Sequence, residues 1–249
     1  MINKKKKEKK GSNYKNSGQI VVKSVKIEQD STFLDYVRGG LKINLAVAVD
    51  TSSSSSALHQ LRRGENAFTT AIKTVGEILQ DYDYDKRILG LSFGSTREGA
   101  VSHCFPLTGD HRSPECQGVE GLLRLYKESL ATTHMAEPTN FSEVLKYVME
   151  DAARRKSDVE YSVIMIITDG GVSDLAETKA ALVALSRKPV SVVLVGVGEG
   201  NMSAMVQLDS DKARLHSGGV QAERDIVQFV RKSPFCTLDS SWTCYTWTT

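Results

Sequence analysis

Four stretches of almost unbroken apolar residues constrain this chain more than anything else in it: INLAVAVD (43–50), RILGLSFG (87–94), YSVIMIITDG (161–170) and VSVVLVGVG (190–198). Each has the length of a strand, and a strand that is apolar on both faces must be covered on both faces, as in a parallel sheet. Between these runs, apolar residues recur at helical spacing. Phe68, Ala71, Ile72, Val75, Ile78 and Leu79 form one such series, Val119, Leu122, Leu123, Tyr126 and Leu130 a second, and Phe141, Val144, Leu145 and Val148 a third. From Phe33 onward, strand and helix therefore alternate. That order predicts an α/β domain: a doubly wound, mainly parallel central sheet with helices on both faces, of Rossmann type. Asn140 with Glu143 and Asp174 with Glu177 read as helix starts, and Pro189 as the stop for a helix that begins near Leu175.

A chain of 249 residues with 40% hydrophobic content accommodates one large domain, or one domain with tails. No stretch approaches the roughly 20 apolar residues of a membrane-spanning helix, and the lysine-rich N-terminus lacks the apolar run of a secretory signal. The expected location is cytoplasmic, nuclear, or peripheral at the plasma membrane. Cys104, Cys116, Cys236 and Cys244 then read as reduced thiols. The net charge of +2 conceals an asymmetry, because residues 1–30 hold nine lysines against Glu8, Glu28 and Asp30, leaving the body mildly acidic. Lys4, Lys5, Lys6, Lys7, Lys9 and Lys10 make an arm that could touch anionic lipid, nucleic acid or an import receptor, or simply be a solvated linker. No nucleic-acid partner is expected for the protein as a whole. After the arm, GQIVVKSVKIEQ alternates β-branched residues with lysine, as a strand without a sheet would. The final SPFCTLDSSWTCYTWTT loses all periodicity and reads as an irregular tail over 233–249.

In an open α/β sheet, ligands bind at the carboxyl ends of the strands, where the strand order reverses. Three segments would bring oxygen side chains to that edge. Asp50, Ser52 and Ser54 follow the first strand in the spacing D-x-S-x-S, Thr139 lies in EPTNF ahead of a helix, and Asp169 ends a buried strand in IITDGG. A serine run by itself is more often a linker than a ligand. Taken together, the five are hard oxygen donors without histidine or thiolate, which suits Mg²⁺ or Mn²⁺, with Ca²⁺ also allowed, rather than zinc. Two carboxylates leave the shell of such an ion incomplete. A partner's carboxylate can complete it, so the site is expected to be an adhesive contact and not a catalyst.

The three segments, in this order, resemble the metal-ion-dependent adhesion site of von Willebrand factor A domains. FLDYVRGG, VGEILQDYDYDK, FGS, CQGVEGLLRLY, EPTNF, IITDGGVSDLAETKAALVALSRKPVSVVLVGVG, MVQLD and AERDIVQFV narrow the resemblance to the A domain of the copines, over residues 31–232. The resemblance implies a von Willebrand factor A-like fold and a module that binds a protein partner, a cytosolic protein with an exposed acidic residue, through a divalent cation. In the intact family this domain follows two sandwiches that bind phospholipid when calcium is present. KKKKEKKGSNYKNSGQIVVKSVKI resembles the exit of the second sandwich, so residues 1–30 are expected to be a poorly ordered remnant and the chain a fragment or truncated form. The copine pattern usually has threonine where Ser52 stands and glycine where Glu137 stands. Glu137 and Asp174 are therefore candidates for contacts just behind the metal ligands.

Other motifs are weaker. GVGEGN (196–201) is a partial glycine pattern and reads as a turn leaving a strand. His103, Cys104, His111 and Cys116 fit no regular zinc spacing, and with only Cys236 and Cys244 in the tail no RING can be assembled. No G-x-S-x-G elbow is present, so a serine hydrolase is not expected and neither is any other enzyme. The alternative function is a peripheral membrane protein, held to anionic lipid by the lysine arm with a passive A domain.

Overall fold

The computed structural model describes residues 2–16, 21–26, 33–97, 100–102, 104–154, 159–209, 213–232 and 245–247. The chain divides into two compact units, Met1–Gly39 and Gly40–Thr249. In the first, α1 (Lys4–Lys10) is opened by Asn3, whose side chain accepts from Lys6 N, and is followed by α2 (Phe33–Arg38). The α1 lysines are all exposed. Residues 21–26 are exposed and belong to no strand, so the alternation of valine and lysine there marks no sheet among the described residues.

The second unit contains β1 (Lys42–Asp50), α3 (Ala67–Gln80), β2 (Arg87–Phe93), β3 (Ser95–Arg97), β4 (Ala100–Ser102), β5 (Phe105–Pro106) and β6 (Glu115–Gln117). It continues through α4 (Gly118–Ser129), β7 (His134–Met135), α5 (Phe141–Arg154), β8 (Glu160–Thr168), α6 (Leu175–Leu185) and β9 (Val190–Gly196). It closes with α7 (Ser203–Leu208), β10 (His216–Ser217), β11 (Val220–Gln221), β12 (Val227–Lys232) and β13 (Tyr245–Trp247). The main sheet runs β13-β12-β9-β8-β1-β2-β5, with β6 also on β2. Its five central strands are parallel, while β5, β6 and β13 add antiparallel edges. The four apolar runs are β1, β2, β8 and β9, and Ala46 pairs with Leu89 on one side and Ile164 on the other.

Alternation along the strands feeds two cores. Ala46, Ala48, Leu91, Ile164, Ile166 and Leu194 face Phe141, Val144, Leu145, Val148 and Leu182 from α5 and α6. Leu45, Val47, Val49, Met165, Ile167 and Val195 face Phe68, Ala71 and Ile72 of α3 and Leu122 and Tyr126 of α4. A sheet with helices on both faces is the doubly wound arrangement expected from the sequence. The strand order reverses between β1 and β8, so the crevice at their carboxyl ends is the topological switch point.

Two details differ from the sequence reading. Asp174 makes no side-chain cap to its own helix α6. Its carboxylate instead accepts from Phe141 N and Ser142 N, each at 2.9 Å, and so caps α5. At the far edge, three residues of the aperiodic tail form β13 against Val230–Lys232, while Phe229 N donates to Asp209 Oδ2 at 3.0 Å. A strand edge with open backbone groups recruits whatever donors and acceptors lie nearby.

Candidate functional site

Asp50 is the last residue of β1 and is fully buried. Its Oδ1 accepts from Ser52 N at 2.9 Å and its Oδ2 from the Thr168 hydroxyl at 2.7 Å. Burial outweighs these hydrogen bonds and pushes the Asp50 carboxyl up to about 6, with the negative charge of Asp169 adding to the rise. A carboxylate has about four lone-pair positions, and the Ser52 hydroxyl bears on this one beside the two donors just named.

Past Asp50 the chain enters a 3₁₀ turn, Ser53–His59. The Ser52 and Ser54 hydroxyls lie 3.0 Å apart. Gly94 allows this loop its position: it has φ of +73°, and a Cβ there would come within 2.9 Å of the Ser52 side chain. Thr139 lies in the loop ahead of α5 and is only 2% exposed. Asp169 follows β8, half-buried, with its Oδ1 accepting from Gly171 N at 3.1 Å.

Direct bonds join the three segments in pairs. Thr168 bonds Asp50, linking the first segment to the third. Ser53 N donates to Ala136 O at 2.9 Å, linking first to second. Ser173 N donates to Thr139 O at 2.8 Å and Thr139 N to Ser173 Oγ at 3.0 Å, linking second to third. Glu137 adds a second tie between first and second, accepting from Ser53 Oγ and Ser54 N on one oxygen and from the Thr139 hydroxyl on the other. Asp174, by capping α5, fixes the helix that follows Thr139. GVGEGN is indeed the turn after β9, and it also walls the site. An open cleft beside Asp169 is lined by Ser54, Gly171, Gly200, Asn201 and Ser203, and a Cβ at Gly200 would sit 2.1 Å from the Asp169 carbonyl oxygen.

A buried polar network under the serine loop escaped the sequence reading. His59, 4% exposed, stacks on Phe68 with ring centroids 4.1 Å apart. Its Nε2 lies 2.9 Å from the Asp50 carbonyl oxygen and 3.0 Å from Ser55 Oγ, and its Nδ1 lies 2.6 Å from the Tyr126 hydroxyl. The carbonyl can only accept, so Nε2 carries the hydrogen and Nδ1 accepts from Tyr126, whose oxygen in turn accepts from Asn66 Nδ2 at 3.0 Å. This assignment needs a neutral ring, and burial lowers the His59 imidazolium to about 4. Tyr126 reads in sequence as one more apolar helix residue, and nothing local ties it to His59. The signal that was there to be used is the histidine itself, at the end of the serine run.

Among the described residues the zinc candidates form no metal-ligand group. His103 lies outside the described residues, Cys116 Sγ donates to Ile88 O at 3.2 Å, and His111 Nδ1 is 3.3 Å from the Tyr147 hydroxyl. Burial raises the pKa of both the Cys104 and the Cys116 thiol, which keeps them protonated. Cys236 and Cys244 lie outside the described residues. Among the described residues no three His, Cys, Asp or Glu side chains group as metal ligands. An ion at the switch point would therefore rest on Asp50 and Asp169 for charge and on hydroxyls for the balance, a donor set that fits a hard cation. No helix among the described residues is long and apolar enough to cross a membrane.

Among solved structures, the manganese-loaded TRAP protein of Plasmodium vivax is similar in fold, with a TM-score of 0.51 at 15% identity over 76% of this chain and 68% of that one. Proximal thread matrix protein 1 from the mussel byssus gives a looser match, with a TM-score of 0.45 at 18% identity over 64% of this chain and 38% of its own length. A family model described as Copine matches residues 57–243, which takes in Thr139 and Asp169 and begins just past the serine run. With well over half the sequence matched, a doubly wound fold and a switch point lined by oxygen donors, the chain belongs to the copine family.

Proposed function

We propose that the A domain is a divalent-cation-dependent adhesion module. Asp50, Ser52, Ser54, Thr139 and Asp169 hold Mg²⁺ or Mn²⁺, and the ion is presented to an acidic residue on a cytosolic protein partner. Copine membership gives the chain a general protein-interaction role and sets it apart from enzymes. The metal-dependent reading goes further, and one observation carries it: a fully buried carboxylate, Asp50, lies at the switch point, bonded to the strand that carries Asp169 and followed by two paired hydroxyls. Burying a carboxylate is costly unless its charge is met, and a cation would meet it. When bound, the ion supplies a positive centre with an open position. The residues of this chain bury the site, orient the hydroxyls and leave one side facing the cleft. In the intact family this contact would be coupled to calcium-dependent phospholipid binding by preceding sandwiches.

The test is capture of partners from cell extract by the full chain, with and without chelator, beside Asp169→Ala. Partners that leave on chelation and fail to bind the variant support the reading, and capture indifferent to both overturns it. A second reading rests on α1, whose six lysines are exposed along seven residues. It treats the arm as a contact for anionic membrane and predicts binding to phosphatidylserine vesicles that is lost when residues 1–15 are deleted and falls steeply with salt.

A further inference from the structure

Glu137 lies in the loop that also carries Thr139, and its carboxylate bridges two of the three loops. Oε1 accepts from Ser53 Oγ at 3.0 Å and from Ser54 N at 3.2 Å, while Oε2 accepts from the Thr139 hydroxyl at 3.1 Å. An exposed glutamate held by three donors from two separate segments has given up its freedom to a single arrangement.

The bond to Thr139 fixes more than position. A hydroxyl has one hydrogen and two lone pairs, and with its hydrogen committed to Glu137 only lone pairs are left to present to a cation. A charged acceptor on that hydrogen also makes the oxygen a richer donor, as carboxylates do for ligands they support from behind. The same carboxylate holds the backbone at Ser54, whose hydroxyl pairs with that of Ser52. Glu137 is not itself grouped with Asp50 and Asp169 as a metal ligand. Its influence therefore runs through Thr139 and the serine loop.

We propose that Glu137 is a positioning residue that pre-sets the Thr139 hydroxyl and the serine loop for the cation, so that this chain binds the ion more tightly than it would with glycine there. The inference rests on the adhesion-site reading above. The test is calorimetric titration of Mn²⁺ and Mg²⁺ into the full chain, Glu137→Gln, Glu137→Gly and Asp169→Ala, each in ~0.1 M and ~1 M KCl, where the screening length falls from about 10 to about 3 Å. Melting of each variant in chelator reports whether its fold is intact.

Glutamine cannot accept from both sides, because its amide end only donates. We expect Glu137→Gln and Glu137→Gly to weaken binding by roughly 10- to 100-fold, the loss typical of a removed supporting contact, and by the same factor at both salt concentrations. A loss that disappears at high salt would mean that Glu137 acts only as a nearby charge, and would overturn the positioning role. Parent-like affinity in both Glu137 variants, with binding abolished in Asp169→Ala, would overturn the proposal and leave the adhesion site standing. Unchanged binding in Asp169→Ala would remove the site and the proposal together.

Discussion

A buried aspartate stands at each end of strand β1. At its carboxyl end, Asp50 accepts from Ser52 N and the Thr168 hydroxyl. At its amino end, Asp83 reaches back from the turn after α3 and accepts from Leu45 N at 2.7 Å, and Tyr84 N donates to Ile43 O beside it. Burial raises the pKa of both carboxyls. Both are buried and both shift in the same direction, so neither property by its sign separates a functional acid from a structural one. The difference lies in what converges on them. One turn returns to the strand at Asp83, where the carboxylate completes a ladder that β2 has not yet reached. At Asp50 the chain turns into the Ser52 and Ser54 hydroxyls, Thr168 ties it to the neighbouring strand, and the charge of Asp169 is felt. A perturbed acid marks a site only where other donors remain unspent around it.

The largest effect that would sharpen this contrast is on cation binding. Asp50→Ala and Asp169→Ala should each weaken Mn²⁺ binding more than 100-fold by calorimetry, a loss of about 3 kcal/mol or more. Asp83→Asn, which keeps an acceptor for Leu45 N, should leave it unchanged. Equal losses at both ends of β1 would erase the distinction.

Next comes the support beneath the site. His59→Ala removes the donor to the Asp50 carbonyl and leaves the Tyr126 hydroxyl without its acceptor. Urea unfolding should report a loss of about 2–4 kcal/mol from the buried unpaired groups and the cavity together. A loss near zero would mean that the network does not hold the serine loop.

The smallest effect, and the most diagnostic, is on stability against pH in chelator. The Asp50 carboxyl rises from 3.8 to about 6 on folding, so its contribution is fully present below 3.8 and is lost as pH rises through 6. His59 falls from 6.5 to about 4 on folding, so its contribution is present above 6.5 and is lost as pH falls through 4. Between about pH 4 and 6 the two slopes oppose each other, each at most about 1.4 kcal/mol per pH unit. Asp50→Asn should therefore steepen the acid-side loss, and His59→Gln should leave stability falling as pH rises. Parallel profiles for the two variants would contradict the opposed shifts.

The parallel sheet was legible because covering a strand on both faces leaves unbroken apolar runs, and such runs need no long-range information to be recognised. The places of Asp50 at the end of β1 and of Asp169 just past β8 were legible for a related reason: strand ends are legible, and the residues at them share one edge. Strand β12 was missed as a strand, because VQFVRK is short and carries Gln228 and Arg231 within it. The capping role of Asp174 was assigned to the wrong helix, since sequence spacing sees only neighbours and the receiving amides, Phe141 and Ser142, lie more than thirty positions earlier. His59 was invisible for the same reason. Each of its partners is ordinary alone, and only the fold puts Asn66, Tyr126 and the Asp50 carbonyl around one imidazole.

The far edge of the sheet carries a consequence for handling the protein. β13 occupies the outer side of Val230–Lys232, and Asp209 answers the outward amide of Phe229. Trimming the chain after Lys232, an inviting boundary because periodicity ends there, would strip half of that cover and present an open row of backbone donors and acceptors. A second molecule could add its own strand to such a row, so the shorter protein should be the one that clouds on concentration or warming.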